Sequence, residues 1–159
     1  MSGRFALPPG FRMVSGGQTG ADRAALDWAI THGIPHGGWC PRGRRAEDGP
    51  IDTRYALHET PSRKYRQRTE WNVRDSDATV IFTLSGPLTG GSELTAVFAE
   101  YYRKPWLHLR EEDNVFRLSR FLANPESGPR VVTLNIAGTR DPTVGPLVVR
   151  FLDQILAPT

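Results

Sequence analysis

The chain has 159 residues, 38% of them hydrophobic and 23% charged, with a formal net charge of +3 and a sequence pI of about 9.4. That length suits one domain able to bury a two- or three-layer core, the composition excludes wholesale disorder, and a lone cysteine, Cys40, excludes an internal disulfide framework. No apolar run is long enough to cross a bilayer and residues 1–10 carry no charged-then-apolar leader, so the expectation is a cytoplasmic protein with no membrane partner, whose small arginine-weighted charge excess favours anionic ligands.

Residues 11–14 read as a first strand after the break at Pro8-Pro9-Gly10. Residues 15–24, SGGQTGADRA, then join it to a helical pattern. Gly16, Gly17 and Gly20, with Gln18 and Thr19 between them, let the backbone take positive φ and turn several amides toward one point. The helix that follows presents its free N-terminal amides and positive dipole end, so this stretch is expected to cradle a phosphate or similar oxyanion. It satisfies neither the Rossmann Gly-x-Gly-x-x-Gly signature nor the Walker A signature, and a purely structural turn is the alternative. Asp22 either orients a ligand or caps the first helical turn.

Ala21, Ala25, Trp28 and Ala29 recur at helical spacing up to Gly33, where a C-cap and Pro35 end the element. Residues 37–40 suggest a short second strand. The long basic stretch at 41–52, PRGRRAEDGPID, is expected to fold Arg42, Arg44 and Arg45 over the anion, or else to be a solvated loop. His32, His36 and Cys40 are spaced four apart, but Gly33, Pro35, Gly37 and Gly38 break the helix that would align them as metal ligands. Cys40 beside three arginines has the surroundings of a nucleophile, but a lone cysteine next to an apolar strand is more often a buried, inert thiol, and that reading is preferred.

Residues 62–77 form a polar helical segment with a thin apolar face, placed at an edge where Arg68, Thr69 and Asn72 reach a cleft. Its interleaved Tyr65, Arg68 and Trp71 would alternatively stack the bases of a single-stranded nucleic acid. Residues 78–84, ATVIFTL, are the clearest buried strand, and a loop through Gly90, Gly91 and Ser92 leads from it into a helix carrying Glu93, Leu94, Val97, Phe98 and Tyr101. A strand at 106–109, a helix ending before Pro125, a strand at 131–136, a turn at Gly138, Thr139 and Arg140, and a terminal helix complete the chain. Alternating strands and helices imply a single α/β domain over 1–159, a Rossmann-like, mostly parallel sheet with helices on both faces. The three glycine loops at Gly16, Gly90 and Gly138 would then share the carboxyl edge of the sheet, where such folds bind ligands.

The segments SGGQTGADRAALDWAI, GIPHGGWCPRGRRAEDGPI, YRQRTEWNVRDSDATVIF, LTGGSELTA and NIAGTR resemble the putative molybdenum carrier family over most of the chain. The resemblance implies a homo-oligomer with a pocket bordered by Gly16–Gly20, Gly90–Ser92 and Gly138–Arg140 for a phosphorylated, nucleotide-like or pterin ligand. Molybdenum cofactor is the implied cargo. The broader superfamily includes phosphoribohydrolases with the motif Pro-Gly-Gly-x-Gly-Thr-x-x-Glu; setting its glycine pair on Gly90-Gly91 puts Thr89 at the Pro, Glu93 at the third Gly, Leu94 at the Thr and Val97 at the catalytic Glu. The expectation is therefore a carrier of a small phosphorylated ligand with no assigned catalytic residue or metal. A nucleotide or phosphoribosyl hydrolase and a single-strand nucleic-acid binder remain as alternatives.

Overall fold

The computed structural model describes residues 3–123 and 130–158. Five strands form one parallel sheet: β1 (Arg12–Val14), β2 (His36–Gly37), β5 (Ala78–Phe82), β6 (Trp106–Leu109) and β7 (Thr133–Gly138), in the order β2-β1-β7-β5-β6. Parallel neighbours require crossovers, and these are supplied by α1 (Ala21–Thr31), α2 (Tyr65–Arg74), α3 (Gly90–Tyr101) and α4 (Phe116–Ala123); a 3₁₀ turn over Pro142–Val144 leads into α5 (Gly145–Ile155). Pro125, expected just beyond α4, lies outside the described residues. Helices α1, α4 and α5 pack together on one face, and α2 and α3 on the other, so the fold is the α/β architecture expected.

The order of strands fixes where a ligand can enter. The chain leaves β1 toward β2, crosses back to β5 and β6, and returns last to insert β7 between β1 and β5. The crevice left by that reversal lies at the carboxyl ends of β1, β7 and β5. Every residue of β5 is buried, and Phe82 meets Phe151 of α5 edge to face at 5.6 Å, within a core that also holds Met13, Leu134, Ile136 and Leu152.

The second strand departs from expectation. Residues 37–40 do not make one strand, because Gly38 takes φ 126° and a Cβ there would stand 2.3 Å from the Ser15 carbonyl. The chain bends at this point into β3 (Trp39–Cys40), which pairs in parallel with β4 (His58–Glu59) as a separate two-stranded ribbon over α2. Between the two ribbon strands, the basic stretch folds onto a small core of Leu26, Cys40, Ile51 and Tyr55.

Candidate functional site

The first glycine loop is closed. Ser15, Gly16, Gly17, Gln18 and Gly20 are buried, and the positive φ values at Gly17 (75°) and Gly20 (85°) explain why glycine stands there. The freed amides, however, bind the chain itself: Gln18 N–H donates to the Asp22 carboxylate at 3.2 Å, Gly17 N–H to Ser15 Oγ at 3.3 Å and Ala21 N–H to the Thr139 carbonyl at 3.0 Å. The Thr19 hydroxyl donates to the Arg140 carbonyl at 2.9 Å. Asp22 thus occupies the place expected for a ligand anion. Arg68 Nη1 pairs with it at 3.1 Å and lies across Gly16, while Leu57 and Ile51 lie against Gly17. Burial lifts the Asp22 carboxyl above its ordinary range, and the charge of Arg68, the Gln18 amide, Arg140 and Arg23 only partly oppose it. The space left is about 10 Å³, near the volume of one water, and Gln18 Oε1, Arg68 Nε and Asn135 Oδ1 are buried there or close by with no protein partner among the described residues.

The open cavity lies next to this loop. It measures about 330 Å³ and is walled by Thr83 and Ser85 after β5, Pro87 and Thr89, Gly91 and Ser92 opening α3, Gly138 ending β7, and Thr139 and Arg140 beyond it. Thr89 caps α3 with no side-chain hydrogen bond, so among the described residues the amides of Gly90 and Gly91 have no acceptor in the chain. Gly91 has no atom within 4 Å of its would-be Cβ. Gly138 is required for the opposite reason: at φ 149° its Cβ would fall 2.0 Å from the carbonyl of Phe82, its register partner on β5. Thr83, 8% exposed, is held by His108 Nε2 at 2.6 Å, and burial lowers the pKa of that imidazole.

Of the residues expected at the site, Gly91, Ser92, Gly138, Thr139 and Arg140 come together at the cavity, while Gly16, Asp22, Arg68, Thr69 and Asn72 surround the small closed space behind it. Arg44 corrects the expected clamp. It turns into its own loop and donates to the carbonyls of Asp52 at 2.7 Å, Tyr55 at 2.8 Å and Ile51 at 2.9 Å, because a segment this long has backbone acceptors that no strand satisfies. Arg45 donates to the Arg63 carbonyl at 3.1 Å and stacks on Tyr65, and Arg42 is exposed. Thr69 bonds back to the Tyr65 carbonyl, and Asn72 holds both the N–H and the carbonyl of Trp39, so α2 is tied to β3 by side chains expected to face a cleft. Glu93 and Val97 are exposed and neither lines the cavity, Val97 being 55% accessible on the outer side of α3. The motif slot read from the glycine pair therefore does not describe the cavity wall. Cys40 is buried, and burial pushes its thiol up. Sequence reasoning missed Thr83, Ser85 and Pro87; the polar residue directly after the apolar run of β5 was the available signal.

Residues 13–156 match the family model described as the circularly permutated YpsA SLOG family. A crystal structure described as a putative molybdenum carrier protein from Syntrophus aciditrophicus is similar at 44% identity and a TM-score of 0.85, over 92% of this chain and 94% of that one. Curated proteins give no match.

Proposed function

The chain belongs to the circularly permutated YpsA SLOG family, and from that premise we propose that it binds and carries a small phosphate-bearing ligand in the cavity between β5, α3 and β7, with molybdenum cofactor as the cargo. One observation carries the reading: the uncapped start of a twelve-residue helix opens into a cavity of about 330 Å³ that Arg140 also lines. Free amides, a helix dipole and a guanidinium favour a phosphate at that point, and the volume is that of a small-molecule site. The similarity to a protein described as a putative molybdenum carrier supports the choice of cargo.

In this reading Gly90, Gly91 and Ser92 hold the phosphate, Thr139 and Arg140 flank it, and the closed loop at Gly16–Gly20 with Asp22 shapes the wall behind. Carriage is favoured over hydrolysis because, among the described residues, the cavity wall includes no Asp, Glu or His to move a proton at a glycosidic bond. Copies of the chain assemble through the outer side of α3, where Val97 and Tyr101 are exposed.

Replacing Gly91 by Asp tests the assignment. The side chain has room, and an acid in the first turn of α3 favours the helix, so the variant folds. Its carboxylate repels a phosphate. Native mass spectrometry of protein mixed with molybdenum cofactor is expected to show an intact bound ligand on wild type and none on Gly91→Asp; equal loading of both, or a ligand returned with altered mass, overturns the proposal.

A further inference from the structure

The ring of Tyr65, the first residue of α2, is ringed by three guanidinium groups, with the Cζ atoms of Arg140, Arg45 and Arg68 at 4.3, 4.7 and 5.7 Å from its centroid. They come from the loop after β7, the basic segment and α2 itself. A guanidinium that rests its face on an aromatic ring keeps its N–H edges for acceptors in its own plane. The chain supplies few of these. Arg68 gives one N–H to Asp22 at 3.1 Å while its Nε–H is buried with no acceptor among the described residues. Arg140 pairs with Glu47 at 2.9 Å across an exposed surface, and the hydrogen bond of the Arg45 guanidinium goes to a carbonyl, that of Arg63, at 3.1 Å.

Three cations therefore share two carboxylates. The helix makes the imbalance larger, since Lys64 at the N-cap offers no capping hydrogen bond and the first turn of α2 has no acidic residue. A helix start ordinarily gathers negative charge; here cations gather. Burial holds the Arg68 guanidinium below its ordinary range, Asp22 opposes that, and the charge of Arg140 adds to it.

We propose that the Tyr65 cluster is an oxyanion site that adjoins the cavity through Arg140 and takes a second anionic group of the ligand whose phosphate sits at α3. In its link to α3 the inference rests on the reading above. The ligand class narrows to small molecules with two linked oxyanionic groups, one met by backbone amides and one by the three arginines gathered around Tyr65.

Orthophosphate and linear tripolyphosphate, added to ¹⁵N-labelled protein at constant ionic strength in chloride, test the two halves separately. Saturable shifts are expected for the amides of residues 65–67 and the Nε–H of Arg68, with tripolyphosphate binding at least about tenfold tighter than orthophosphate, a gain well within the reach of linked sites. In Arg45→Gln, an exposed position, orthophosphate affinity read at residues 65–67 should fall about tenfold while the amides of residues 91–93 titrate as in wild type. A cluster that exists to bind an anion also costs stability without one, so Arg45→Gln should melt at or above the wild-type temperature in low salt; a structural stack predicts a lower melting point. Silent signals at 65–67, an unchanged response in Arg45→Gln, a lower melting point in that variant, or equal affinity for the two anions overturns the inference. Silence at 91–93 alone overturns the α3 assignment instead.

Discussion

At the scale of single residues, glycines of similar appearance do opposite work. Gly20 has φ 85°, and a Cβ there would lie 2.2 Å from the Thr139 carbonyl oxygen and 2.6 Å from the Arg140 carbonyl carbon, backbone atoms that cannot turn aside. Gly20→Ala is expected to lose about 2–5 kcal/mol of unfolding free energy in urea titration, combining left-handed strain with overpacking. The Asp22–Arg68 pair behaves as a unit for a related reason. Both side chains are nearly buried, at 5% and 11% exposure, so removing one strands the other's charge. Asp22→Asn and Arg68→Met should each cost about 3–5 kcal/mol, and the double variant much less than their sum, a coupling that a double-mutant cycle measures directly.

At the scale of elements, the segment between β3 and β4 is held by a side chain rather than by a ladder. Arg44 itself takes φ 52°, a conformation unusual for a side-chain-bearing residue, which aims its guanidinium at the carbonyls of Ile51, Asp52 and Tyr55. Arg44→Met should cost about 2–4 kcal/mol and accelerate amide exchange through residues 51–57, leaving the amides of β5 and β7 protected. Uniform acceleration across the sheet would mean that this segment does not open on its own.

At the scale of the whole molecule, the core and the outer surface of α3 make separate statements. Cys40 is 0% exposed beneath the basic segment, with its thiol pushed up by burial, so a disulfide reagent at pH 8 should modify it at least about a hundredfold more slowly than a free cysteine. As the pH rises through the raised thiol value, labelling should accelerate. Fast labelling in native buffer would place Cys40 outside the core. No described helix is long and apolar enough to cross a membrane, and Val97 and Tyr101 stand 55% and 76% exposed on α3. If these apolar residues are the contact between copies, Val97→Lys with Tyr101→Lys should reduce the mass found by light scattering to that of one 17.7 kDa chain. An unchanged multiple of that mass would locate the contact elsewhere.

The sequence by itself determined the alternation of elements, because hydrophobic spacing and glycine breaks are local: the apolar run at β5 and the helical stripe of α5 read from their neighbours, while Gly90 and Gly138, read as loop residues, are the first residue of α3 and the last of β7. From that alternation the parallel sheet and its binding edge follow. Only the tertiary structure decided which glycine loop stays open. The loop at Gly16–Gly20 carries the stronger local signal, yet Asp22 four residues from Gln18, Arg68 from α2 and Leu57 from the basic segment consume its amides and its space. The weaker signal, at the second glycine loop, faces the open cavity through Gly91 and Ser92. The side chain of Arg44 was equally unreadable, since its acceptors are carbonyls, which every residue possesses and no sequence pattern marks. Local spacing shows where a backbone can offer donors; whether they remain free depends on side chains that arrive from distant parts of the chain.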